Sequence, residues 1–207
     1  RDSSAWMNLV CVWDSANGTA GNRMRMYING TEETSFATDT NPSSGANASW
    51  GNTSHPIEVG RRGSANNQYF DGYMAEVAVC DGQAYAASDF GEFDDSGIWK
   101  PIDVSGLTFG TNGFYLDFEN SGALGADVSG ESNNFTVNNL TAVDQSTDTC
   151  TNNFCTLNPL TKRPAANGTI AEGNLQYTAS TGDSSIFGTM AIPPGMKVYF
   201  EVKLVSN

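Results

Sequence analysis

Six residues in or beside predicted loops combine aromatic rings with cationic side chains, the combination that sugar-binding surfaces use. They are Trp50, Arg61, Arg62, Tyr69, Tyr85 and Trp99. Aromatic faces stack on the apolar side of sugar rings, and guanidinium groups donate hydrogen bonds to acidic sugars. A β-rich protein also buries most of its aromatic residues, so packing in a core or an interface is the competing interpretation of each ring.

A pair of carboxylates raises the question of catalysis. Asp117 and Glu119 fall on one face of a predicted strand, and glycoside hydrolysis requires two carboxyl groups, one of them as the acid. The order Glu-x-Asp-x-x-Glu, which glucanase strands carry, does not occur in the sequence. We therefore expect solvent-facing carboxylates and no enzyme.

Two acidic loops are candidates for calcium. Glu92, Asp94 and Asp95 form a loop rich in oxygen ligands, although their spacing fits no EF-hand. In the loop that begins Asp127-Val-Ser-Gly130, a turn in which polar side chains bond the backbone is the simpler account. No cofactor other than calcium is expected.

The histidine and the cysteines form no catalytic or zinc pattern. His55 is the only histidine and has no Ser or Cys partner at a recognisable spacing. The cysteines lack the close pairs of a structural zinc site. Cys150 and Cys155 flank a short loop in which a disulfide could close, whereas Cys11 and Cys80 lie in predicted strands as small buried hydrophobic residues.

The charge of the chain argues against a nucleic acid partner, and its hydropathy argues against membrane insertion. The 207 residues include 10 Lys and Arg against 23 Asp and Glu, and no basic cluster offers a groove for phosphates. We expect no nucleic acid partner. No stretch approaches the ~20 apolar residues that span a bilayer, so we expect no membrane insertion.

The region from Trp6 to Phe36 has the clearest strand pattern. Large apolar residues on both faces predict a buried strand over Trp6–Trp13. Arg23–Ile28 alternates, with Met and Ile on one face and Arg and Tyr on the other, as a half-buried strand requires. Asn29-Gly30 suits a type I′ turn, so Thr31–Phe36 should fold back as the next antiparallel strand.

Further strand-like runs continue along the chain. They are Ile57–Gly60, Tyr69–Cys80, Gly113–Phe118, Phe135–Leu140 and Lys197–Val205. Ala84–Phe90 should form one helical turn, and no longer segment has helical periodicity. The sequence therefore predicts an all-β, antiparallel fold.

Part of this pattern resembles a known family. The strand closing as Tyr27-Ile-Asn-Gly30, and Phe70-Asp-Gly-Tyr-Met-Ala-Glu-Val-Ala-Val79 before Asp81-Gly-Gln-Ala84, resemble the C-terminal half of a laminin-G-like, concanavalin A-type jelly roll. The resemblance implies a β-sandwich domain over residues 1–100. It also implies that the N-terminal half of the jelly roll precedes Arg1.

The later segments resemble structural proteins of tailed phages, especially marine ones. They are Gly91–Lys100, Gly113–Phe118, Asp127–Gly130 and Thr151–Pro159. In those proteins a linker and a SPRY-like β-sandwich follow the jelly roll, and Gly173–Tyr177 and Lys197–Val205 are similar to its opening strands. The resemblance implies a β-containing connector over 101–164 and the start of a SPRY-like sandwich over 165–207, which would continue beyond Asn207.

These resemblances imply a non-enzymatic structural protein on the virion surface. A tail fibre or another appendage, with a lectin-like domain that binds a host glycan, is the expected role. Its partners would be other virion proteins, copies of itself and the glycan. Two alternatives are a head decoration or cement protein without ligand, and the carbohydrate-binding module of a glycan-degrading enzyme.

Overall fold

The computed structural model describes residues 6–48, 55–62, 68–151, 154–161, 168–179, 185–192 and 194–204. The chain divides into two compact units, a larger one spanning Trp6–Asn152 and a smaller one that contains Asn153–Asn207. Within the described ranges, no helix has the length and hydropathy to cross a membrane.

Short antiparallel strands make up the regular structure of both units. The larger unit contains β1 (Leu9–Trp13), β2 (Met24–Ile28), β3 (Thr31–Glu32), β4 (Val77–Val79), β5 (Gly91–Phe93), β6 (Trp99–Pro101) and β7 (Phe114–Leu116). The smaller unit contains β8 (Thr169–Ala171) and β9 (Gln176–Thr178). Helical structure in the described residues is limited to single 3₁₀ turns at Ala20–Asn22, Ala87–Asp89, Ala142–Asp144 and Pro159–Thr161. The predicted all-β, antiparallel fold class is confirmed, and so is the helical turn within Ala84–Phe90.

A tight turn at Asn29 and Gly30 organises the three-stranded sheet β1-β2-β3. Their φ angles are 47° and 75°, the two positive values that a type I′ turn requires. The Asn29 side-chain carbonyl also accepts a hydrogen bond of 2.8 Å from the backbone N–H of Asn8, just before β1. The hairpin predicted from this pair is confirmed, although its second strand ends at Glu32 and not at Phe36.

The β1–β2 ladder buries the face opposite to the one that carries the methionines. Tyr27 is 8% exposed and packs with Val10 and Val12 in a core, whereas Met24 is 47% exposed. The open face carries Leu9, Cys11, Trp13, Met24, Met26 and Ile28. The predictions that β1 is buried on both faces and that Cys11 is a buried hydrophobic residue are therefore wrong.

Alternation of residue types along a strand does not show which face of the strand is buried. A period of two separates the faces of a strand but does not say which face meets the core. Here Arg25 shares the core-facing side with Tyr27, and its Nη1 donates a hydrogen bond of 3.1 Å to the Tyr27 hydroxyl. The guanidinium carbon lies 6.0 Å from the centre of the Tyr27 ring. The arginine thus has a polar and an aromatic partner on the side that holds the core.

The ladder between β4 and β7 forms a second buried region. Phe114 and Leu116 are each 2% exposed, which confirms that these two residues of the predicted strand face inward. Both strands are shorter than predicted because Glu76 and Phe118 each have a φ of 57°, outside the extended region. The ladder therefore ends at Val77 and Leu116, which pair with each other.

The β4–β7 pairing also bears on domain organisation. It joins a strand before residue 100 to one after it, so the segment predicted as a connector contributes a strand to the larger unit. Three predicted strands are not formed in the described residues: Ile57–Gly60, Phe135–Leu140 and Lys197–Leu204. Phe135 instead donates its backbone N–H to the Gly125 carbonyl at 2.8 Å and packs edge-on against Phe114.

Candidate functional site

Three of the six predicted sugar-binding residues come together in one short hairpin. Arg61 and Tyr69 form an antiparallel bridge. Backbone hydrogen bonds from Arg62 to the Gln68 carbonyl, 3.0 Å, and from Phe70 to the Gly60 carbonyl, 2.8 Å, flank the bridge. We call residues 58–62 and 68–70 the 58–70 hairpin; residues 63–67 lie outside the described part of the chain, as does Trp50.

An ion pair fixes one side of the 58–70 hairpin. The Arg61 guanidinium binds both carboxylate oxygens of Glu58, with Nε 3.0 Å from Oε2 and Nη2 in contact with Oε1. The hydrogen bond from Arg61 lowers the pKa of Glu58. The hydrogen bond to Glu58 raises the pKa of Arg61, and a hydrogen bond with Tyr69 adds to this effect. Arg61 is therefore engaged within the hairpin, where it holds Tyr69 in place.

The 58–70 hairpin also exposes groups that suit a sugar. Tyr69 is 65% exposed, and the neighbouring Phe70 is exposed as well. Arg62 is exposed, and its Nη1 donates a hydrogen bond of 2.9 Å to the Gln68 side-chain carbonyl. Directly opposed residues of an antiparallel pair share a face, so Tyr69 lies on the side of Arg61, and Arg62 and Gln68 lie on the other side. The exposed Tyr69 ring can stack on one face of a sugar ring, whereas Arg62 and Gln68 can bond hydroxyls on the opposite side of the hairpin.

Trp99 serves packing. Its ring packs against the core of Val10, Val12 and Tyr27 and meets Phe93 edge-on, with centroids 4.9 Å apart. The indole lies so close over Gly30 and Gly91 that a Cβ on either glycine would overlap it. Trp99 thus joins the turn of the first sheet to the β5–β6 hairpin.

Tyr85 is also engaged in internal contacts. Its hydroxyl accepts a hydrogen bond of 3.0 Å from the backbone N–H of Thr108. Its ring meets Phe90 edge-on at a centroid distance of 6.2 Å, and Phe90 packs against the core. For Trp99 and Tyr85, the structure thus favours the packing interpretation over ligand contact.

The acidic loop proposed for calcium is organised by a lysine and by backbone amides. Asp94 Oδ2 lies 2.7 Å from Lys100 Nζ, and Oδ1 accepts hydrogen bonds of 2.9 Å from the N–H groups of Ser96 and Ile98. The hydrogen bond from Lys100, followed by that from Ile98, lowers the pKa of Asp94. Glu92 and Asp95 do not join it in a cluster: within the described ranges, no three His, Cys, Asp or Glu side chains are placed to hold a metal ion. Asp94 stabilises the β5–β6 turn.

Asp127 shows the backbone-bonding role that the sequence favours for its loop. Its Oδ1 accepts hydrogen bonds from the N–H groups of Tyr115, 2.8 Å, and Ser129, 2.9 Å, and Oδ2 accepts one of 2.8 Å from Asn133. The Asn133 amide in turn donates to the Gly113 carbonyl at 2.7 Å. One carboxylate thereby connects strand β7 to the loop that follows it.

The predicted disulfide is absent, since Cys150 and Cys155 are both free thiols. Cys155 directs its Sγ toward the Thr156 carbonyl, 3.9 Å away, and lies beside Gly188. Burial raises the pKa of the Cys150 thiol.

We expect the unfolded, unreduced protein to titrate with four thiols per chain, the full number of cysteines. The reason is that all four side chains are free in the folded structure. Ellman titration in denaturant, with and without prior reduction, measures this number. A count that rises by two upon reduction would show that a disulfide is present.

The sequence analysis missed Glu76, the half-buried carboxylate next to β4. Burial raises its pKa, and the charges of Asp103, Glu119 and Asp117 add to the effect. Burial likewise raises the pKa of Tyr115 to about 12, with Glu76 as the next cause. The sequence carries no local signal for this group, because the pairing of Val77 with Leu116 brings Glu76 near Asp117 only in the folded chain.

We expect Glu76→Gln to flatten the dependence of stability on pH. Because the folded state raises the pKa above its ordinary value of 4.5, the stabilisation is complete below that pH and is lost as the pH rises through the folded-state pKa. Urea unfolding from pH 4 to 8 measures the effect. Glu131→Gln, at an exposed position, is the control; a variant at Glu76 with the same slope as the wild type would contradict this account.

One protein-family model matches the part of the chain that contains the 58–70 hairpin. Residues 2–89 match a laminin-G family model described as the concanavalin A-like lectin/glucanases superfamily. This concanavalin A-like segment covers less than half of the chain and contains β1 to β4 and the 58–70 hairpin. No curated protein and no solved structure matches the chain. The match supports the jelly-roll domain predicted from sequence and is compatible with carbohydrate binding.

The boundaries of the concanavalin A-like segment separate the candidate residues. Arg61, Arg62, Tyr69 and Tyr85 lie within it, and Trp99 and Asp117 lie outside it. Since the superfamily is described by both lectins and glucanases, the match alone does not separate binding from hydrolysis. Within the segment, the 58–70 hairpin exposes Arg62, Tyr69 and Phe70.

Proposed function

We propose that the concanavalin A-like segment is a non-catalytic carbohydrate-binding module. The match of residues 2–89 to the lectin/glucanases superfamily carries this proposal. The 58–70 hairpin is its ligand-binding surface, because it exposes the ring of Tyr69 for stacking on a sugar. A single small surface of this kind binds weakly, and several copies side by side would raise the affinity through avidity.

Tyr69→Ala should weaken binding to a responsive oligosaccharide about tenfold, because it removes the stacking ring, and a tenfold change corresponds to about 1.4 kcal/mol. Tyr69→Phe keeps the ring but loses the hydroxyl that bonds Arg61, so it is the matched control and should lose less affinity than Tyr69→Ala. A glycan array identifies the oligosaccharide, and calorimetry on the wild type and both variants measures the affinity. Equal affinity of wild type and Tyr69→Ala would rule out the hairpin as the binding surface.

We also propose that the chain is a virion structural protein, displayed on a tail fibre or another appendage of a phage particle. The order of the segments Gly113–Phe118, Asp127–Gly130 and Thr151–Pro159, which resemble tailed-phage proteins, supports this role. The smaller unit would then begin a SPRY-like sandwich. Antibodies against the chain should label the particle surface in electron micrographs, and labelling confined to the head would favour the decoration alternative.

Glycan cleavage is the second candidate function, favoured by Glu76. Burial raises its pKa, and the charges of Asp103, Glu119 and Asp117 add to the effect; the acid catalyst of glycoside hydrolysis is a carboxyl group with a raised pKa. Incubation with polysaccharide and measurement of new reducing ends tests this function. Release of sugar that disappears in Glu76→Gln would replace the binding proposal with a catalytic one.

A further inference from the structure

An exposed run in the smaller unit has the sequence of a strand but no strand partner. Residues 197–204 alternate strictly: Val198, Phe200, Val202 and Leu204 share one parity, and Lys197, Tyr199, Glu201 and Lys203 share the other. The apolar residues in it are at least half exposed, and Leu204 is 91% exposed. In the described residues this run belongs to no sheet. Within the described part of the chain, no strand pairs with its backbone donors and acceptors, which leaves an edge on which another strand could add.

We propose that the run 197–204 pairs antiparallel with the same run of a second copy of this chain. Parallel, in-register pairing is disfavoured because it places Lys203 on Lys203 and Glu201 on Glu201. In an antiparallel pair, directly opposed residues point to the same face. Only registers that oppose residues of equal parity therefore keep the apolar and the charged faces separate.

Charge selects among these registers. A two-fold axis at Tyr199 opposes Lys197 to Glu201 twice, and an axis at Val202 opposes Glu201 to Lys203 twice. An axis at Phe200 opposes Lys197 to Lys203, and an axis at Glu201 opposes this residue to itself. Opposite charges therefore face each other in the first two registers, and like charges face each other in the other two. This complementarity is why the partner is a second copy and not an unrelated strand.

Analytical ultracentrifugation of the full chain over a range of concentrations tests the proposal. A two-stranded ribbon is marginally stable, so we expect a reversible dimer with a dissociation constant of roughly 10–100 μM. Glu201→Lys places like charges opposite each other in both allowed registers and should weaken dimerisation at least tenfold. Glu131→Lys makes the same charge change at an exposed position of the larger unit and should leave the dimer unchanged.

Two double variants restore the charge pattern. Lys197→Glu with Glu201→Lys recreates the pairs around Tyr199, and Glu201→Lys with Lys203→Glu recreates those around Val202. Recovery of dimerisation in one of them supports the proposal and identifies the register. A chain that stays monomeric at all concentrations, a dimer unaffected by Glu201→Lys, or failure of both double variants to recover would overturn it. A sugar-binding defect in Tyr69→Ala bears on the proposed function alone, so the two tests fail independently.

Discussion

Asp127→Ala is expected to lower the free energy of unfolding of the larger unit by about 3 kcal/mol, since hydrogen bonds to a charged group contribute about 1.5–3 kcal/mol each. The Asp127 carboxylate accepts three backbone hydrogen bonds, from Tyr115, Ser129 and Asn133. Without it, these N–H groups lose their acceptor next to strand β7. Urea unfolding followed by tryptophan fluorescence measures the change, because all four tryptophans fall within the larger unit.

The effect of Asp127 should also depend on pH. Burial by itself would raise the pKa of this carboxyl group, but hydrogen bonds from Tyr115 and Ser129 outweigh burial and lower it. A lowered folded-state pKa contributes stability above the unfolded value and loses it as the pH falls through the folded-state pKa. The stability difference between wild type and Asp127→Ala should therefore be largest near neutral pH and shrink in acid. Asp95→Ala, at an exposed position, is the control, and a difference that stays constant with pH would contradict the role given to the carboxylate.

Trp99→Ala is expected to destabilise the larger unit by about 3 kcal/mol, the lower end of the range for removing a large aromatic side chain, because the ring is only partly buried. The indole covers Gly30 and Gly91 and packs on the core that contains Tyr27. Its removal leaves a cavity between the first sheet and the β5–β6 hairpin. Fluorescence of the remaining tryptophans during urea unfolding measures the loss.

Trp99→Phe separates packing from ligand contact. A phenyl ring retains part of the packing, so the loss of stability should be smaller than with alanine. Neither variant should change the affinity for an oligosaccharide while the protein is folded. Loss of sugar binding in the folded Trp99→Phe variant would show that Trp99 contributes to the binding surface.

Local chemistry accounts for the features that could be predicted from the sequence. Asn29 and Gly30 determine their turn without help from the rest of the chain, because the required φ values suit these residue types. The backbone-bonding role of Asp127 could be predicted for the same reason. Phe114 and Leu116 were also assigned to the correct face.

Long-range contacts decided the features that could not be predicted. The pattern of β2 separated Tyr27 from Met24, but the core side depended on which face other segments cover. The lengths of β4 and β7 depended on a positive φ at Glu76 and Phe118, and no sequence rule assigns that conformation to these residue types.

For the candidate sugar-binding residues too, local chemistry could be predicted from the sequence but long-range contacts could not. The sequence identified residue types that could bind a sugar but not which of them are committed to packing. Trp99 lies over two glycines and Tyr85 bonds the Thr108 backbone, whereas Tyr69 stays exposed. Glu76 could not be predicted from the sequence because the carboxylates that raise its pKa are distant from it in the chain.

Mapping a bound oligosaccharide by NMR is the most direct test of the carbohydrate-binding role. Titration of the labelled chain should shift the backbone amides of Arg62, Gln68, Tyr69 and Phe70 more than any others, with the same saturation curve for all four. Shifts centred on Glu76 and Asp117, or no shifts with any sugar that the glycan array identifies, would contradict the assignment of the 58–70 hairpin as the binding surface.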